Sequence, residues 1–234
     1  MIRNFERFLT CNFRQITAQR RNLNVQNFMI ARSYCQLSKM CWNCHATLHE
    51  NVEIFCNSCN HIQRVPKISF EDYFDLFGIQ KDPKVNLKEL TKRFRNVQSQ
   101  IHPDKFSTKS EAEQSLSSEW SSLVNKAYKT LQTPVLRGEY LLSLKGITIS
   151  EKNTIEDPEF LMEVMEKNET VEEAETKDDL LVLLDELQDE IADVNNKFAS
   201  AYQSKNYAAA KNYLIKMKYL MSIENITKEK IQRF

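Results

Sequence analysis

Between residues 87 and 101 the apolar side chains Leu87, Leu90, Phe94, Val97 and Ile101 recur at steps of three and four, one stripe of an amphipathic helix. Leu116, Trp120, Leu123, Ala127, Tyr128 and Leu131 repeat that pattern downstream. Between the two stands His102-Pro103-Asp104. Proline lacks an amide hydrogen and disfavours α geometry in the residue before it, so the first helix must stop there. The pattern predicts an antiparallel helical hairpin with His102, Pro103 and Asp104 exposed at its turn. Lys88, Lys92, Arg93 and Arg95 fall on the polar side of the first helix. Asn86, with Glu89 three residues on, gives that helix a capping-box-like start. Residues 105–110 continue the exposed loop, Thr133-Pro134 ends the second helix, and residues 136–145 predict a short helix stopped by Gly146.

From about Asp157 three further helical patterns follow. Asp157-Pro158 opens the first, on which Phe160, Val164 and Val171 form a stripe to be buried. Leu161, Met162 and Met165 leave that stripe and stand beside Glu166, Glu169 and Glu173. Large apolar side chains in a row with acids mark either a partner site or a helix that packs on two sides. Leu180, Leu184, Leu187, Ile191, Val194 and Phe198 make a coiled-coil-like seam on the second helix. The third spans about residues 207–226, with Ala210, Leu214, Met217 and Met221 on one stripe. Short connections predict an antiparallel three-helix bundle. It holds no nucleophile–base or metal-ligand arrangement, which makes it a binding or structural module.

The start of the chain is patterned differently. Residues 1–36 carry Arg3, Arg7, Arg14, Arg20, Arg21 and Arg32 against a single acid, Glu6. Ile2, Phe5, Leu9, Phe13 and Ile16 share one helical face. An Arg-rich, acid-poor amphipathic start has the pattern of a mitochondrial presequence, with Arg32-Ser33-Tyr34 as a matrix-processing site before Cys35. A basic surface helix of the mature protein is the alternative.

Cysteine usage changes the picture for residues 37–66. Cys41-Trp-Asn-Cys44 and Cys56-Asn-Ser-Cys59 are two Cys-x-x-Cys pairs separated by residues 45–55, a spacing that closes one tetrahedral zinc site of structural type, with a small hairpin between the pairs as in zinc ribbons. A reducing compartment disfavours disulfides. The same thiols would also suit a redox dithiol, two disulfides or an iron–sulfur cluster. His45, His49 and His61 lie close in sequence, but four cysteines already complete a shell. Val65-Pro66-Lys67 reads as a linker.

Composition then excludes broad classes. Lys+Arg and Asp+Glu number 32 each, so no global basic field argues for nucleic acid. A zinc-dependent nucleic-acid binder using the basic helix, and a thiol oxidoreductase, are the rival readings from other classes. Only 3 glycines and 5 prolines in 234 residues suit a mainly α chain. No apolar run approaches the ~20 residues that span a bilayer.

The His-Pro-Asp hairpin, preceded by Asp72-Tyr73-Phe74-Asp75-Leu76-Phe77-Gly78-Ile79 and followed by Asn125-Lys126-Ala127-Tyr128-Lys129-Thr130-Leu131, resembles the J domain of co-chaperones that stimulate heat-shock-70 ATPases. Arg137-Gly138-Glu139-Tyr140-Leu141-Leu142 and Phe160-Leu161-Met162-Glu163 extend the likeness to the J-domain co-chaperone family of iron–sulfur cluster assembly, in the animal form with an N-terminal tetracysteine module. The resemblance implies an L-shaped fold: a presequence (1–36), a zinc module (37–66) holding one ion on Cys41, Cys44, Cys56 and Cys59, a J domain (67–146) and a three-helix bundle (147–234). It implies that His102, Pro103 and Asp104, with Lys88, Lys92, Arg93 and Arg95, meet a mitochondrial heat-shock-70 chaperone. Leu161, Met162, Met165, Glu166, Glu169, Glu173 and Tyr219 would bind the cluster-assembly scaffold protein. It further implies no enzymatic chemistry in the chain itself, no membrane insertion and a matrix location, a cytosolic pool also being compatible. Oligomeric state is left unspecified.

Overall fold

The computed structural model describes residues 40–48, 53–65, 72–149 and 157–234. The expected presequence, with Cys11 and Cys35, lies outside the described residues, as does His49. Asn86 acts as the cap its position predicts: its side-chain oxygen accepts from the amides of Lys88 and Glu89, at 3.1 and 3.2 Å. Helix α2 (Leu87–Ile101) follows, preceded by the single turn α1 (Tyr73–Leu76). At His102 the backbone turns extended and α2 stops. The carbonyl of Ile101, orphaned by that stop, accepts from the buried Ser117 hydroxyl at 2.7 Å. A capping box on Ser110 and Glu113 starts α3 (Glu111–Gln132). Phe94 stacks on Tyr128 at 4.1 Å, and Gln98 donates to Ser121, so α2 and α3 run antiparallel as the periodicity predicts.

The seam differs from the pattern at particular positions. Leu87 is 47% exposed, because it sits a turn beyond the Thr91–Tyr128 contact that marks that end of the packed seam. Val124 is fully buried although it lies off the expected stripe. Phe106 is buried too, which anchors residues 103–106 as a 3-10 turn where a continuous exposed loop was expected. These side chains join Trp120, Phe74, Leu90, Ile101, Leu131 and Leu141 in one core. Each large apolar group buried there contributes about 1.5–3 kcal/mol. Helix α4 (Pro134–Ser143) closes this unit: its Tyr140 stacks on Tyr73 at 4.5 Å and accepts from the Tyr73 amide.

The C-terminal helices are α5 (Pro158–Glu173), α6 (Lys177–Gln203) and α7 (Tyr207–Ile231). Lys205, in left-handed geometry, makes the tight turn from α6 to α7. Two α5–α7 contacts share a 59-residue offset: Lys216 bonds Asp157, and Lys230 donates to the Val171 carbonyl. A constant offset means α5 and α7 run parallel, with α6 antiparallel between them in the chain. On α6 the buried position is Leu183, with Leu184 and Ile191 only half-buried. Leu183 lies about 100° around the helix from Leu184, and it is Leu183 that joins Leu180 and Leu187 in the bundle core. Lys216 draws the Asp157 carboxyl below its usual pKa, helped by the Phe160 amide that the same side chain caps.

The bundle meets the first core through α4 and α7. Arg137 is buried, its guanidinium donating to the carbonyls of Pro83 and Leu131 at 2.8 and 2.6 Å, and burial lowers its pKa. Lys218 pairs with Glu139, and Gln203 donates to Asp82. Gly138 makes the close approach possible: a Cβ there would come within 2.7 Å of Leu214 Cδ1 and 3.1 Å of Phe198 Cζ. Both neighbours are buried and cannot swing away. Gly138→Val is therefore expected to cost about 1–3 kcal/mol by overpacking. Chemical denaturation should report that loss while far-ultraviolet circular dichroism keeps its helical signal.

Candidate functional site

Three groups of side chains stand out, one in each part of the chain. At the hairpin tip, Pro103 begins the 3-10 turn Pro103–Phe106, and His102 caps it: the Asp104 amide donates to His102 Nδ1 at 3.4 Å. The Asp104 carboxylate lies 3.5 Å from the same nitrogen, and its side chain is 90% exposed. Buried Ile101 on one side and buried Phe106 on the other pin the loop to the core. The tip is thus a fixed presentation of one imidazole and one carboxylate to an incoming surface, with its charge held outward. Proline ends α2 here as the sequence predicts, and Asp104 is open.

Lys88, Lys92 and Arg95 are exposed on α2. Arg93 is used differently. Its guanidinium bonds Glu89 at 2.6 and 3.0 Å and the carbonyls of Phe77 and Gly78 at 2.9 and 2.7 Å, so it staples the end of α1 to α2. A Cβ on Gly78 would touch that guanidinium at 3.0 Å, and the left-handed φ of +58° also favours glycine.

The four cysteines converge. Each pair sits in its own turn, flanked by an antiparallel bridge, Met40 with Thr47 and Phe55 with Ile62. Pairing is therefore local to each Cys-x-x-Cys, where the sequence suggested a hairpin between the two. The turns are near copies: His45 and Asn60, each directly after the second cysteine, both have positive φ. The sulfurs of Cys41, Cys44, Cys56 and Cys59 lie within 4.8 Å of one another, with Cys41–Cys59 at 3.5 Å and Cys44–Cys56 at 3.7 Å. Bonds of about 2.3 Å from a tetrahedral ion would set sulfur–sulfur edges of about 3.8 Å, so the cage fits one metal ion. Amides of Asn43 and Cys44 point at the Cys41 sulfur, and that of Ser58 at the Cys56 sulfur, the outer shell that thiolate ligands need.

Proton affinities in the cage diverge. The His61 amide pulls Cys59 down to about 6 against burial. At Cys44 the Ala46 amide pulls down, but the Cys59 side chain, burial and the other two thiols outweigh it and push the group up to about 12. Four sulfurs this close cannot all ionise without a cation between them. At Cys41, burial opposes but the amides of Cys44 and Asn43 win and lower the pKa. His45 is exposed, and His61 lies edge-on to Trp42 with Nδ1 3.1 Å from the Cys59 carbonyl. That carbonyl, then the Cys59 sulfur, raise the His61 pKa.

On α5, Met162 and Met165 are 61% and 62% exposed, Leu161 is half-buried, and Glu166, Glu169 and Glu173 are exposed. Tyr219 of α7 reaches this neighbourhood, its ring 6.1 Å from that of Phe160. The structure thus brings Tyr219 beside the start of α5, which sequence distance alone does not. Leu181 and Val182 of α6 are further exposed apolar side chains, off the seam that the periodicity predicts. Their signal is the two-residue gap between buried Leu180 and Leu183.

The sequence also missed how the cysteine cage is mounted. Ile62 is fully buried in the core around Trp120, and the Trp120 indole donates to the Gln63 carbonyl at 2.7 Å. Val65, the first residue of the linker that the sequence suggests, packs on the same core, so residues 62–65 dock the cage. Ile54, Phe55, Ile62 and Val65 are more apolar surface than so small a module can cover alone, and that was the available signal.

Residues 72–140 match the family described as the DnaJ domain, and residues 156–228 match the HSCB C-terminal oligomerisation domain. The iron–sulfur cluster co-chaperone protein HscB of Mus musculus is 35% identical over 195 residues, covering 80% of this chain and 81% of that one. Its Homo sapiens counterpart is 36% identical over 193 residues, 81% of each chain. The crystal structure of human co-chaperone protein HscB superposes with a TM-score of 0.75 at 35% identity, covering 82% of this chain and 98% of that one. Chaperone HscB from Vibrio cholerae superposes with a TM-score of 0.61 at 30% identity, covering 68% and 96%.

Proposed function

The chain belongs to the HscB iron–sulfur cluster co-chaperone family, and from that premise we propose that it links a mitochondrial heat-shock-70 chaperone to the iron–sulfur scaffold protein and stimulates the chaperone's ATPase. The observation that carries this reading is the His102-Pro103-Asp104 tip, rigidly anchored yet with its carboxylate fully offered to a partner. An exposed carboxylate on a fixed turn forms charge-assisted bonds with a partner's arginine at little entropic cost. Lys88, Lys92 and Arg95 supply a cationic approach surface that steers encounter with an acidic one. Arg93 takes a positioning role here, holding α1 on α2.

The scaffold would dock on α5, where Leu161, Met162 and Met165 supply apolar contact and Glu166, Glu169 and Glu173 a charged rim, with Tyr219 at the edge. Holding both partners on one body raises their effective concentration for each other. The chain breaks no bond in this scheme; hydrolysis occurs on the chaperone. The domain division 37–66, 67–146 and 147–234 carries over as part of the same reading, with residues 1–36 as the address for the mitochondrial matrix. The cation in the cysteine cage would be a single structural zinc: all four positions of a tetrahedron are taken by sulfur, leaving none open for substrate.

The test is ATP turnover by the mitochondrial chaperone with and without the scaffold. The chain is expected to accelerate turnover alone, and further when the scaffold is added. Equal rates with and without the chain would end the proposal.

A further inference from the structure

Gln63 is 3% exposed and stands between two structures. Its side-chain amide donates to the Cys41 sulfur at 3.3 Å and to the His61 carbonyl at 2.7 Å. Its own backbone carbonyl accepts from Trp120 Nε1 at 2.7 Å, and its amide donates to the Ile54 carbonyl. Trp120 is wholly buried at the centre of the α2–α3 core, one turn from Ser117, which holds the Ile101 carbonyl where α2 ends. A continuous set of buried hydrogen bonds therefore runs from a cage sulfur through Gln63 to the helix that supports the His-Pro-Asp tip.

We propose that Gln63 is a positioning residue that couples occupancy of the tetracysteine cage to the packing of the J-domain core. With an ion present, Cys41 is fixed and orients the Gln63 amide, which sets the carbonyl under Trp120. Without the ion, ionised sulfurs this close repel one another, and Gln63, only 3% exposed, loses one of two acceptors where solvent has little access. Linkage then works both ways: the factor by which the ion favours the Trp120 bond is the factor by which that bond, once formed, strengthens the hold on the ion. This inference rests on the cage being a metal site, so metal content is measured first.

The full chain is purified with metal, assayed for one ion per chain, and then stripped with a chelator. Amide hydrogen exchange is followed in α3 around residues 117–124 and, as an internal reference, in α6. Stripping is expected to speed exchange in α3 and leave α6 unchanged. Trp120→Phe, which keeps an aromatic ring and deletes the donor, should lose metal to a competing chelator with an affinity about fivefold or more weaker than the parent chain. Gln63→Leu, loaded with cobalt(II), should shift the sulfur-to-cobalt charge-transfer bands to lower energy, because an N–H···S bond that stabilised the thiolate is gone. It should also lose most of the metal-dependent change in α3 exchange. A chain without bound metal would sink the cage reading and the coupling together. Bound metal with unchanged α3 exchange on stripping, or unchanged metal affinity in Trp120→Phe, would overturn the coupling alone.

Discussion

Asp104→Asn is expected to leave scaffold binding and folding intact and to cut stimulation of the chaperone ATPase sharply. The substitution keeps shape and deletes one negative charge. The fold leans little on that charge: the Asp104 side chain is 90% exposed, its contact with His102 Nδ1 is long at 3.5 Å, and the cap at His102 uses the backbone amide, which Asn retains. Stability should stay within about 0.5 kcal/mol of the parent chain, the usual range for surface positions. At the partner, however, a charge-assisted bond worth about 1.5–3 kcal/mol is replaced by a neutral one or none. Stimulation at sub-saturating co-chaperone should fall by about tenfold or more. The measurement is single-turnover ATP hydrolysis at several concentrations, with thermal unfolding as the control. Undiminished stimulation would place the contact elsewhere on the hairpin.

The complementary double variant Leu161→Ser with Met165→Ser should lose the scaffold and keep basal ATPase stimulation. Met165 already lies 62% exposed, so replacing it removes little from the interior; Leu161 is half-buried and carries the structural cost. In a docked complex both side chains would leave water, at about 1.5–3 kcal/mol each. Scaffold affinity should therefore weaken by about a hundredfold or more. Glu166, Glu169 and Glu173 remain, so the residual binding should become more sensitive to salt, being left to charge alone. Titration calorimetry at two ionic strengths reads both effects. Loss of both activities in either variant, with the chain still folded, would mean that the hairpin and the bundle do not divide the work.

Much of this protein is dictated locally. Pro103 stops α2 whatever surrounds it, Asn86 and Ser110 satisfy helix-start amides from a few residues away, and the periodicity of the C-terminal segments requires helices that must find each other. The spacing of Cys41, Cys44, Cys56 and Cys59 brings sulfur pairs together through turns of four residues, a short-range constraint again. What escaped was decided at long range. Arg93 reads as one more cation of a basic face, yet the placement of α1 turns it into a staple on Phe77 and Gly78. Gly138 is silent in sequence until α7 brings Leu214 against it. Gln63 carries no motif, and only the seating of Ile62 in the core below makes its amide and its carbonyl face opposite partners. Helix starts, stops and metal-binding turns are written in contacts a few residues apart. Which polar groups end up between two buried surfaces depends on elements distant in the chain meeting, and a one-dimensional pattern does not contain that.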